Sequence, residues 1–229
     1  MAGEGFVLGV DLDGVVADFY GRLRVIAAEW LGRPVEELSM DGSGISQWGI
    51  GEGQDDYERL HRFALTERNL FSTMDPIPGA PQALRGLSRK GVRIRIVTHR
   101  LVFKRLHRQS VMQTVKWLDH HDIPYWDLCF LGEKSAVDAD CFVDDTPEQV
   151  ERLAQAGKRV IVYTNFTNTS FDSTDPNPNT DPNPNTGFDS TRARFSGAEG
   201  KVSRASNWDE VVAQVISLTD GLADVGRGP

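Results

Sequence analysis

Apolar and polar positions divide the chain into short unbroken apolar runs and longer stripes with helical spacing. Phe6-Val7-Leu8-Gly9-Val10 has the length and character of a buried strand. Val92 to Val97, Trp126 to Leu131, Cys141 to Val143 and Val160 to Tyr163 repeat that character, which predicts five strands. Helical spacing runs from Val16 through Leu23, Ile26, Ala27 and Trp30, stopping near Gly32-Arg33-Pro34. It recurs at Tyr57, Leu60, Phe63 and Ala64 within 55–67, over Pro78 to Lys90 ahead of Gly91, and over Phe103 to His121. Thr146-Pro147-Glu148-Gln149 reads as a capping box that opens a helix ending at Gly157, and Asn207 to Glu210 caps a last helix. Strands alternating with helices predict an α/β fold with a doubly wound, mainly parallel sheet. Arg93 and Arg95 break the pattern, because a central parallel strand is apolar on both faces. One face of that strand is therefore expected to be exposed or paired.

The helical stretches in 18–75 stand between the first strand and the rest of the alternation, so they read as an insert. Its charge is acidic, six arginines against eleven aspartates and glutamates. The expected division is a core of 1–17 and 76–229, with 18–75 as the insert. Within the core, residues 165–206 are rich in Asn, Pro, Ser and Thr and contain a doubled hexapeptide, Asp175 to Thr180 and Asp181 to Thr186. That segment lacks periodicity and reads as an extended loop. Because it leaves the carboxyl end of the fifth strand, a flap over 172–191 is one reading and a neutral expansion the other.

At 229 residues, 39% hydrophobic and 9% aromatic, the chain can build a full core. A net charge of −8 argues against non-specific binding to nucleic acid or an anionic membrane, since the attraction has the wrong sign. No run approaches 18 apolar residues, and Met1 to Gly5 has no basic and apolar leader character. Cys129 and Cys141 have no metal-ligand spacing and read as reduced core residues. A cytoplasmic location is expected, in which the sequons at Asn165 and Asn168 carry no consequence.

Four apolar runs end in residues suited to phosphate chemistry. The first delivers Asp11 and Asp13, two residues apart, followed by Gly14; the others lead to Thr98, Lys134 and Asp144-Asp145. In an open parallel sheet the carboxyl ends of the strands form the ligand crevice, so distant stretches can converge there. A bare Asp-x-Asp is weak evidence, but Gly14 lets the backbone turn tightly and bring its amides to an anion. A carboxylate attacking a phosphomonoester needs its charge offset. Mg2+ on oxygen ligands does that, and Asp11 with Asp144 or Asp145 fits such a set. Lys134 supplies a fixed charge, Thr98 a hydroxyl donor, Asp11 a nucleophile and Asp13 an acid/base.

In this order Asp11-Leu12-Asp13-Gly14-Val15, Thr98, Lys134 and Asp144-Asp145 resemble the four motifs of the haloacid-dehalogenase-like phosphohydrolases. More narrowly, Asp11 to Phe19, Asp75 to Ala80 and Ser206 to Val211 are similar to the 5′(3′)-deoxyribonucleotidases of the cytosolic type C 5′-nucleotidase kind. The resemblance implies a Rossmann-like core with 18–75 as a cap that closes over substrate. It implies an aspartyl-phosphate route with Asp11 as nucleophile and Asp13 as acid/base. It also implies Mg2+ on Asp11, the Asp13 main-chain oxygen and Asp145, with Asp144 in support, and it admits a homodimer. The implied substrate is a small phosphomonoester, a nucleoside or deoxynucleoside 5′-monophosphate, held by Thr98 and Lys134. Phe19 matches the family's base-stacking position; Phe71 and Trp48 are further stacking candidates against a plain core role.

One departure bears on the substrate. The nucleotidase-like pattern has a second hydroxyl residue after Thr98, whereas His99 and Arg100 follow here. His99 can donate to a phosphate or pack at the strand end, and Arg100 can take a second anionic group on the substrate. Histidines 61, 107, 120 and 121 lie on helical stretches without a ligand pattern, and Asp18 suits a cap. The alternative within enzymes is a capped phosphatase of a sugar or other small metabolite phosphate. A phospho-accepting receiver presents its acidic pair first and its phosphorylated Asp later, the reverse of the order here. A silent binding module has no use for four competent motif positions, and a dehalogenase has none for Asp13.

Overall fold

The computed structural model describes residues 5–41, 45–50, 54–168 and 201–225. Six parallel strands form one sheet: β1 Val7–Val10, β2 Arg93–Thr98, β3 Asp127–Phe130, β4 Cys141–Asp144, β5 Arg159–Tyr163 and β6 Val202–Ala205. Their spatial order is β3-β2-β1-β4-β5-β6, so β1 and β4 flank the point where the winding reverses. Every carboxyl end then opens on one edge of the sheet. Six α-helices are described: α1 Phe19–Leu31, α2 Gln54–Glu67, α3 Ala80–Arg89, α4 His107–His120, α5 Pro147–Gln155 and α6 Trp208–Val225. The doubly wound α/β expectation holds.

The central strands are almost wholly inaccessible, with Leu8, Val10, Ile94, Ile96 and Cys141 at 0% exposure. Each such aliphatic side chain contributes roughly 1.5–3 kcal/mol of burial. Gly9 faces Phe142 in the β1–β4 register, and a Cβ at Gly9 would stand 2.6 Å from the Phe142 ring. The ring therefore fills the place of a side chain on β1. The arginines of β2 are paired: Arg95 bridges to Asp127 at 2.7 Å, and Arg93 lies 4.8 Å over the Trp126 ring. Both partners come from the edge strand β3 or the residue just before it, so the polar face of β2 sits beside an edge.

Boundaries moved where side chains found other partners. Asp18 caps α1 through Gly21 N at 2.9 Å. The box on α6 forms, with Asn207 Oδ1 accepting from Glu210 N and Glu210 accepting from Ser206 N. The box expected on α5 does not form. Pro147 opens that helix, but the Thr146 hydroxyl faces Asp145 Oδ1 at 3.4 Å instead of capping. β6 lies inside the stretch that periodicity leaves as loop, because Val202–Ala205 carries Ser203 and Arg204 instead of an apolar run and follows a polar tract. The 172–191 flap reading lies outside the described residues. Between β1 and α3 the described chain forms α1, α2 and three short 3-10 turns at Val35–Glu37, Ile45–Trp48 and Leu70–Ser72.

Candidate active site

Asp11 follows β1 and is anchored by its own N–H, which donates to Val143 O at 3.0 Å. Asp144 ends β4, Asp145 follows it, and one oxygen from each of these three buried carboxylates lies within 4.8 Å of the others. Lys134, from the turn after β3, reaches between them: its Nζ stands 2.9 Å from Asp11 Oδ2 and 2.6 Å from Asp144 Oδ2. Thr98 at the end of β2 is fully buried, and its hydroxyl has no hydrogen-bond partner. A buried hydroxyl without a partner is uncommon and suits a donor awaiting an anion.

The electrostatics are strained. Burial pushes the Asp11 carboxyl up to about 7; Lys134 opposes the rise, while Asp144 and Asp13 add to it. Burial likewise carries Asp145 well above the carboxylate range, with Asp11 and Asp144 adding to the rise. Burial disfavours the Lys134 charge, but Asp11 and Asp144 more than reverse that and hold its pKa above the usual lysine value. Two of the three buried carboxyl groups pair with Lys134 and the third, Asp145, does not, a donor set that fits a divalent cation. Gly14, at φ +82°, is required here, since a Cβ would collide with Asp145 Oδ2.

Two asparagines that the sequence offered only as sequons belong to this site. Asn165 donates to Asp145 Oδ2 at 2.6 Å and to Gly14 O at 3.2 Å. Asn168 is buried and donates to Asp145 O and Tyr163 O. Their signal was position alone: they follow β5 on the edge where the motifs meet.

Asp13 lies apart from the three-carboxylate cluster. Both its oxygens accept from Arg100: Nε to Oδ2 at 2.9 Å and Nη2 to Oδ1 at 2.6 Å. The expected free arginine for a second substrate anion thus has a protein partner. Phe71 is buried beneath the Arg100 guanidinium, 4.3 Å from centroid to Cζ. Phe19 is buried at the start of α1 and packs edge-on against Tyr20 and His61. Trp48 is stacked on Phe166, which meets Tyr20 edge-on, and donates its indole N–H to Ser39 O. His99 is exposed and packs beside Gly132. His61, for which the sequence offers no ligand pattern, sits among Phe19, Tyr57, Phe71 and Phe103 with Nε2 buried and unpartnered. Burial lowers its pKa, so the imidazole is neutral near pH 7.

This sheet order and the carboxylate-lysine edge define a class, the haloacid-dehalogenase-like fold. A haloacid dehalogenase-like hydrolase from Streptococcus pneumoniae superimposes with a TM-score of 0.54 at 13% identity, over 93% of this chain and 99% of that one. A phosphonoacetaldehyde hydrolase-like protein from Oleispira antarctica gives 0.53 at 14% identity, over 100% and 97%. The family profile described as 5′ nucleotidase, deoxy (pyrimidine), cytosolic type C protein matches residues 5–176. A protein of Chlorobaculum tepidum, provisionally named a 5′(3′)-deoxyribonucleotidase, is 54% identical over 169 residues, 73% of this chain and 83% of the relative. The chain belongs to the cytosolic type C 5′-nucleotidase family, and it is a phosphoric monoester hydrolase.

Proposed function

We propose that this enzyme hydrolyses nucleoside and deoxynucleoside 5′-monophosphates with Asp11 as nucleophile. The observation that carries this reading is the Lys134 ammonium held between Asp11 and Asp144, with the unpartnered Thr98 hydroxyl at the end of the strand that pairs with β1. In the first step an Asp11 oxygen bonds to phosphorus as the phosphorus–oxygen bond to the nucleoside breaks, and Asp13 gives its proton to the departing oxygen. In the second, a water oxygen bonds to phosphorus as the Asp11–phosphorus bond breaks, and the water's proton passes to Asp13. Lys134 and Thr98 direct positive charge and a donor at the transferring oxygens.

Asp11, Asp145 and the Asp13 main-chain oxygen would hold Mg2+. When bound, the ion would offset the negative charge of phosphate and carboxylates together. Asp145 suits the ligand role better than Asp144: Asp144 already serves Lys134 and Thr146 N, whereas Asn165 and Thr146, which hydrogen-bond to the Asp145 carboxyl, are uncharged. Residues 18–75 would act as the cap. Phe19, Tyr57, His61, Phe71 and Phe103 favour a substrate that carries a flat base over a bare sugar phosphate. The free state of Cys129 and Cys141 supports a reducing, cytoplasmic setting. Among the described residues no helix is long and apolar enough to cross a membrane.

The test is phosphate release with Mg2+ across deoxynucleotides, ribonucleotides and sugar phosphates. A clear preference for nucleotides is expected. Equal rates on all three would remove nucleobase recognition from the reading while leaving the phosphatase chemistry.

A further inference from the structure

We propose that Arg100 is a positioning residue for proton transfer, fixing the Asp13 carboxyl group for the leaving oxygen. This rests on the reading of Asp13 as the acid/base. The Arg100 side chain is fully enclosed, while that of Asp13 is 24% exposed. Each of the three guanidinium nitrogens already donates within the protein. Nε and Nη2 take the two Asp13 oxygens, and Nη1 donates to Thr114 Oγ1 at 3.0 Å. Thr114 spends its own hydrogen on Ser110 O, so its oxygen is held as an acceptor for Arg100. Phe71 closes the guanidinium face, and its N–H is held in turn by Gln113 Oε1 at 3.1 Å.

The chemistry of this arrangement differs from that of a substrate clamp. A planar fork on both oxygens fixes the plane and rotation of a carboxylate, and each oxygen keeps a second lone pair for a proton. Proton transfer needs hydrogen-bond reach to the leaving oxygen, and a misplacement of about 1 Å can lower a rate about 100-fold. Asp13 follows the strand by three residues and is partly open to solvent. Without the fork its side chain would sample other rotamers. Arg100 also ties this group to Phe71, in the turn that follows α2, so its geometry depends on how that segment packs on α4.

The test compares kcat/KM on a nucleoside 5′-monophosphate and on p-nitrophenyl phosphate. This ratio reports the steps through phosphoenzyme formation, where an aryl oxide leaves without a proton and an alkoxide does not. Arg100→Gln should lose about 100-fold on the nucleotide and less than about 10-fold on the aryl ester, with Arg100→Lys between wild type and Gln. Thr114→Val, which keeps the arginine but removes one tether, should show the same selectivity at roughly 3- to 5-fold. Asp13→Asn should show the selectivity most strongly, and adding Arg100→Gln to it should change little. Equal losses on both esters, or none, in both the Arg100 and Thr114 variants would overturn the proposal. If Asp13→Asn itself spares the difference between the esters, the acid/base reading fails and this inference falls with it.

Discussion

Asp11 and Asp13 leave the same strand two residues apart, yet they occupy opposite surroundings. Asp11 is 7% exposed, shares a lysine with Asp144 and stands against two further carboxylates. Asp13 is partly open to solvent and has a guanidinium to itself. One corner packs three carboxyl groups around one lysine, a donor set that fits a divalent cation. The other is balanced and geometrically fixed, which suits a group that must be in place when a proton moves. Residue type alone does not separate the two; the neighbours do.

The comparison breaks most sharply at Asp11, the proposed nucleophile. Asp11→Asn should lower phosphate release by at least about 10⁴-fold. The same change should raise the melting temperature of the metal-free protein, because it removes a desolvated, repelled charge. A variant with near-normal turnover would end the assignment. Lys134→Met should lower turnover by about 10²- to 10³-fold. It should also destabilise the fold by roughly 3–5 kcal/mol in chemical denaturation, since two buried carboxylates lose their partner. Arg100→Gln should destabilise less, because Asp13 keeps access to water. Equal stability losses at the two sites would contradict the contrast.

The pH dependence sharpens it further. The folded-state pKa of Asp11 is raised from 3.8 to about 7, so the native state binds the proton more tightly than the unfolded chain. Stability from this group is therefore present below pH 4 and lost as pH rises toward 7, an effect of a few kcal/mol at order of magnitude. Melting of the metal-free protein should fall across that window, and added Mg2+ should restore more stability at pH 8 than at pH 5.5. A melting temperature insensitive to both would show that the carboxylate cluster is not under electrostatic stress. A more local effect is expected of Asn165→Ala, which removes a donor to Asp145. It should weaken Mg2+ binding about 10- to 100-fold by calorimetry, with little change in metal-free melting.

The strand-end chemistry is legible in the sequence because each group follows an apolar run that could only be a buried strand. Parallel winding then brings Asp11, Thr98, Lys134 and Asp144-Asp145 to one edge. Contacts that cross the fold are not legible in this way. Arg100 meets Asp13 across 87 positions and Asn165 meets Asp145 across 20, with no local pattern to announce either. His61 fell among helical residues whose spacing says only that they pack. The Thr146 hydroxyl went to the neighbouring carboxyl group although a capping position was open to it, and Ser203 and Arg204 deny β6 the apolar run that marks the other strands.

The Phe142 ring seated over Gly9 ties the strand that leads to Asp11 to the strand that carries Asp144. A methyl group at position 9 would act as a wedge, spreading β1 from β4 a few residues below the point where their carboxylates meet. A substitution wholly inside the sheet, far from any solvent, would thus be felt as a change in the spacing between Asp11 and the Asp144-Asp145 pair.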